Sequence, residues 1–194
     1  MTAAPLTIEI VHNARRFAAL AEAWDVLAAS VASPLVCHAW YSAALDAQQG
    51  HRIALSIILV WDGIHLAAAA PLILDQAHVP ARLIPIDGFV GEPFRLLYRD
   101  AETFASLITA CAGMRRPILF RRLVCSASDL AKLAGTLRSN SAVICKPRHA
   151  SATVWLPDDF GAFEALISSS RRATHRRKWR AVQRDHGEIE TEFA

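Results

Sequence analysis

A chain of 194 residues, 53% apolar and 20% charged, has material for one domain, or for one domain and part of another. That balance excludes an intrinsically disordered chain, in which too little apolar surface exists to offset the entropy of ordering. The formal charge of +3 is unevenly spread: Arg171 to Arg184 holds seven Lys and Arg and no acid, against 14 basic and 18 acidic residues in the other 180 positions.

In chain order, LTIEIV (Leu6 to Val11) alternates apolar and polar residues and reads as a strand. Asn13 is placed to cap a helix in which Phe17, Leu20, Trp24, Leu27 and Val31 recur at helical spacing. Ser33-Pro34 breaks it, and a second helix runs from about Val36 to Ala47, ending before Gly50. Arg52 to Trp61 and Ile64 to Leu74 read as two strands joined at Asp62-Gly63, a strong hairpin signal. Their near-continuous apolar character predicts strands covered on both faces. ARLIPI and FRLLY read as short strands around a turn-rich loop, IDGFVGEP. Asp100 or Thr103 starts a helix carrying Phe104, Leu107, Ile108 and Cys111; ILFRRLV reads as a strand; Ser128 caps a helix with Leu130, Leu133 and Leu137. AVICKP and SATVWLP complete the strands of a mixed sheet with helices on its faces. After Pro157 the pattern turns helical, with Asp158 or Asp159 as cap and the serines 168 to 170 as an interruption.

The apolar runs flanking Asp62-Gly63 are each too short to span a bilayer, and a turn divides them. MTAAPLTIEI has no basic leader and no signal-type apolar core. Cys37, Cys111, Cys125 and Cys145 form no CxxC pair, which favours reduced thiols and a cytoplasmic location. The eight histidines show neither HxxxH nor HExxH spacing, so no metal is expected.

The basic segment reads as one helix. At about 100° per residue, His175, Trp179, Val182 and His186 share a thin stripe, and the arginines lie away from it. Gly187 supplies a C-cap, and EIETEF reads as a strand that needs a sheet to join. A charge run is usually a solvated helix face. The sharper reading is an anion site built from Arg172, Arg176, Arg177, Arg180 and Arg184, for a coenzyme phosphate, nucleic acid or anionic headgroups. Trp179 is the only aromatic residue there, which argues against nucleic acid.

Four local patterns resemble the CelD/BcsL-like proteins of the GNAT superfamily, relatives of the FemAB-type transferases. FAALAEAWDVL, with Phe17, Leu20, Trp24 and Leu27, is similar to that family's F..L...W..L opening, and SPLVCHAW, with Ser33, Pro34 and Trp40, to its SPF.....W element. VWDGIHLAAAAPLIL resembles its hairpin, including Pro71-Leu72. Arg172, Arg176, Arg177, Arg180, Gly187 and Phe193 match the R...RR..RR....G.....F segment that opens a second GNAT-like unit. The resemblance implies an α/β (α+β) fold of the acyl-CoA N-acyltransferase type, with a mixed, mostly antiparallel sheet and helices on both faces. It divides the chain into a GNAT-like domain at 1–157 and, at 158–194, a basic helix and first strand of a second, truncated domain. It implies transfer of an acyl group from acetyl-CoA or another acyl-CoA to an amine or hydroxyl acceptor, linked to cellulose or other exopolysaccharide production. The catalytic unit is expected to be lacking. A non-catalytic module whose basic helix engages nucleic acid or anionic surfaces is the alternative.

GNAT enzymes cradle the coenzyme pyrophosphate on an RxxGxG/A loop after the fourth strand. Here that place reads IDGFVGEP, where Gly88 and Gly91 miss the spacing and no Arg precedes them in register. Asp87, Glu92 and Asp100 are candidate general bases by position alone, and Tyr98 a candidate acid or a packed strand residue. Trp24 and Trp40 read as core. If 188–193 is an unpaired edge strand, the segment from Ser168 onward is expected to be mobile or to self-associate.

Overall fold

The structure, a computed structural model, describes residues 5–31, 33–48, 50–139, 142–146 and 156–187. Contacts divide the chain into two units, Met1–Arg148 and His149–Ala194. The first is a mixed α and β unit whose sheets are antiparallel: β1 (Thr7–Val11), β3 (Ile57–Asp62), β4 (His65–Ala70) and β7 (Leu97–Tyr98) form one sheet in the order β1-β3-β4-β7, and β2 (Ile53–Leu55), β5 (Leu72–Asp75) and β6 (Arg82–Pro85) form another in the order β2-β5-β6.

The Asp62-Gly63 hairpin is present. Asp62 pairs with His65 across Gly63-Ile64, and Gly63 takes a φ of +59°, where a residue without Cβ is unstrained. Each of the two long strands expected here is two strands. The backbone breaks at Ser56 and at Pro71, which has no N–H to give to a ladder, so each apolar run leaves one sheet and enters the other. Burial on both faces is the reason the break is hidden in the sequence: Ile57, Leu59, Ala69 and Ile73 face one core, and Ile58, Val60, Ala68, Ala70 and Leu72 the other. A bulge shifts the register at Val60/Trp61, so Trp61 pairs with Leu66 and Val60 with Ala68, leaving Ala67 as the extra residue. Leu66 therefore joins the same core as Ala69.

Helices cover both faces. On one side lie α1 (Ala14–Ala18), α2 (Ala21–Ala28) and α3 (His38–Asp46), burying Phe17, Leu20, Trp24, Leu27, Tyr41 and Ala44. Asn13 caps α1 as expected, but the run to Val31 is two helices, broken at Ala19–Leu20. Ser33 caps a short 3-10 turn, Pro34–Val36, that delays α3 to His38. The Trp24 indole N–H donates to Val36 O at 2.9 Å and Asp25 Oδ1 accepts from His38 N at 2.8 Å, which ties that turn to α2. On the other face α4 (Ala101–Gly113) and α5 (Ala127–Arg138) bury Phe104, Leu107, Ile108, Cys111 and Leu133. Asp100 caps α4 in a capping box with Thr103, and Ser126 rather than Ser128 caps α5, since its Oγ accepts from Asp129 N at 3.0 Å.

ILFRRLV is not a strand. It makes two isolated parallel bridges, Leu83 to Ile118 and Phe94 to Leu123, and Arg122 between them sits at a φ of +52°, which no strand residue adopts. Residues 142–146 of AVICKP are likewise outside any strand. In the second unit Asp159 caps α6 (Phe160–Leu166), and α7 (Ser169–His186) ends at Gly187, φ +81°. Most of SATVWLP and all of Glu188–Phe193 lie outside the described residues. No described helix is long and apolar enough to cross a membrane.

Candidate functional site

The five arginines singled out by the sequence all lie on α7, an 18-residue helix with no buried residue. Glu164 of α6 engages two of them: Arg172 Nη1 donates to its backbone O at 3.1 Å, and Arg176 Nη2 to its carboxylate at 3.4 Å. Arg184 pairs with its neighbour Asp185 at 3.2 Å. Among the described residues, Arg177 and Arg180 have no ionic partner. Arg176, Arg177, Arg180 and Arg184, with Ala173 and Ala181, line an open groove of about 680 Å³. All its walls come from one helix, so flexible side chains set its shape. It offers a field of positive charge more than a moulded pocket. The stripe expected to be apolar is solvent-facing: Trp179 is 45% exposed and Val182 37%.

The turn after β6 is built differently from an anion cradle. Gly88 N donates to Pro85 O and Val90 N to Asp87 O, so the chain closes tightly on itself. A Cβ on Gly88 would lie 3.0 Å from Pro85 O, which explains a glycine there. Asp87 points inward and is 1% exposed. Its Oδ2 accepts from Trp40 Nε1 at 3.3 Å, whereas its Oδ1 has no partner among the described residues. Burial raises the Asp87 pKa; the Trp40 bond opposes this, and the Glu92 charge adds to it.

Two residues that sequence reasoning passed over meet Asp87 there, both from the α3 segment. Gln48 Nε2 donates to Ala44 O at 3.0 Å and, more closely, to Ile86 O, which leaves its Oε1 buried and unpartnered. The Tyr41 hydroxyl is also buried without a partner, and its pKa is raised by burial first and by the Asp87 charge second. The signal was present in the sequence: Tyr41, Ala44 and Gln48 fall three and four residues apart, putting an amide on an otherwise apolar face.

Tyr98 and Asp100 are not brought to this turn. The Tyr98 hydroxyl donates to Asp129 Oδ2 at 2.8 Å, and burial pushes its pKa up to about 12. Its hydroxyl is engaged by a first-turn carboxylate of α5, and its ring packs at a tilt on Phe104, centroids 4.6 Å apart. Asp100 is occupied by the α4 cap and by Arg99; the Thr103 N–H first, and the Arg99 guanidinium second, hold its carboxyl below the ordinary value. Glu92 is exposed. Among the described residues, no cluster of His, Cys, Asp and Glu is placed to hold a metal ion. Compared with protein-family models, curated proteins and solved structures, the chain matches none of them.

Proposed function

We propose that the chain is part of the acyl-CoA-using machinery of a GNAT-like, CelD/BcsL-like protein, in which residues 1–157 form a unit that supports the fold without holding the coenzyme. In this reading the protein moves an acyl group to an amine or hydroxyl acceptor, with exopolysaccharide production the implied setting. The succession of strand, helices, hairpin, strand, helix and helix, with a sheet buried on both faces, supports the fold assignment. The observation that carries the non-catalytic assignment is Asp87. Where a coenzyme-binding loop offers N–H groups to a pyrophosphate, this turn encloses a carboxylate, with Glu92 close enough to reinforce its field. The Gly88 and Val90 N–H groups are spent on Pro85 O and Asp87 O rather than left for a pyrophosphate, and the Arg122 guanidinium beside Gly91 offsets only part of the acids' field.

The test is thermal unfolding of the whole chain titrated with acetyl-CoA. The melting temperature is expected to stay constant up to millimolar coenzyme. A rise that grows with concentration, as native-state binding demands, would reject the non-catalytic assignment in favour of a self-contained enzyme.

A further inference from the structure

We infer that Tyr41, Gln48 and Asp87 share one internal water molecule, held between α3 and the turn that follows β6. The inference begins from three buried polar atoms that no group among the described residues satisfies: Tyr41 Oη, Gln48 Oε1 and Asp87 Oδ1. Tyr41 is 0%, Gln48 4% and Asp87 1% exposed, so bulk solvent serves none of them. Native proteins rarely leave such groups unpaired.

They belong to two segments in direct contact, and the Tyr41 hydroxyl is near enough to feel the Asp87 charge. Gln48 Nε2 bonds Ile86 O, the residue before Asp87, and Trp40, the residue before Tyr41, bonds Asp87 Oδ2. Ala44, itself buried, falls between Tyr41 and Gln48 at helical spacing. The orientation of the Gln48 amide is fixed, because a flip would set its oxygen against two carbonyl oxygens, Ala44 O and Ile86 O.

The inventory selects the guest. Tyr41 brings one donor, since its phenol keeps its proton at any ordinary pH, and Gln48 and the Asp87 carboxylate bring two acceptors. A water accepts once and donates twice, and so completes all three. If Asp87 takes a proton on Oδ1, the same water turns, accepts from Asp87 and Tyr41, and donates to Gln48. A sodium or ammonium ion has no such second arrangement, because it cannot accept from Tyr41 or from a protonated Asp87. Internal waters with about three hydrogen bonds are a normal structural component.

Tyr41→Phe separates this from a dry site by the sign of its effect. If the hydroxyl serves a water, removing it unmakes a buried bond, and the melting temperature of the full chain falls by about 2–6 °C. If the hydroxyl has no partner, removing it relieves a desolvated group, and the variant is equally or more stable. That result overturns the inference. A crystal structure of the wild-type chain gives a second reading that does not depend on the variant folding. A solvent peak within hydrogen-bonding distance of all three atoms is expected. An empty site, or wild-type stability that depends on sodium or ammonium at constant ionic strength, also overturns it.

Discussion

Asp87 combines a carboxylate with nearly complete burial, and its proton equilibrium follows from that. Its folded-state pKa lies above the ordinary 3.8, with burial the largest cause. Between those two values the folded chain binds more protons than the unfolded chain, so this residue's contribution to stability is fullest at low pH and declines as pH rises through the folded pKa. Asp87→Asn imitates the protonated acid and keeps an acceptor for Trp40. The variant is expected to match or exceed the wild type at pH 7, with the difference shrinking toward pH 4. Denaturant unfolding of both proteins across that range checks this, and parallel curves would contradict it. The sequence placed Asp87 in a suggestive loop but could not show that it points inward. That depends on Trp40 and Gln48 arriving from a helix some 40 residues earlier in the chain, a contact with no local signature.

At the scale of elements, what was legible is what local chemistry decides. Asn13, Asp100, Asp159 and Gly187 cap the helices beside them because each cap needs only the next few residues. Asp100→Ala removes an oxygen that accepts from Glu102 N and Thr103 N, and should cost about 1 kcal/mol, or roughly 2–4 °C in melting temperature. Asp100→Asn should recover most of it, which separates loss of the cap from loss of the Arg99 pair. What was illegible is where long-range packing overrides composition. ILFRRLV has the content of a strand, yet it forms only isolated bridges. The Ser56 and Pro71 breaks lie inside apolar runs whose period conveys nothing once both faces are buried.

At the scale of the molecule, burial is concentrated in the first unit. The central strands Ile57–Val60 and Leu66–Ala70 are almost wholly buried, whereas α6 and α7 bury no residue. Local opening is cheapest where few apolar contacts resist it. In hydrogen exchange at low protein concentration, amides of β3 and β4 should be the slowest, and those of Ser169–His186 among the fastest of the described helices. Protection in α7 equal to that of the hairpin would show that this helix is covered in solution. The arginines of α7 were legible as a group because charge is read directly from sequence. Their pairing with Glu164 was not, since it depends on the path between two helices.

The bulge at Ala67 gives the hairpin a phase as well as a composition. On the side of Ala67 nearer the turn, even-numbered Leu66 shares a core with odd-numbered Ala69; beyond it, even-numbered Ala68 and Ala70 face the opposite core. Deleting Ala67 would leave every neighbouring side chain chemically intact and still permit a ladder. Yet it would exchange one core for the other at one end of the hairpin, as a lost letter changes the meaning of every word after it. For this strand, length is part of the message: substitutions at Ala67 test packing, whereas a deletion there tests which side of the sheet each residue belongs to.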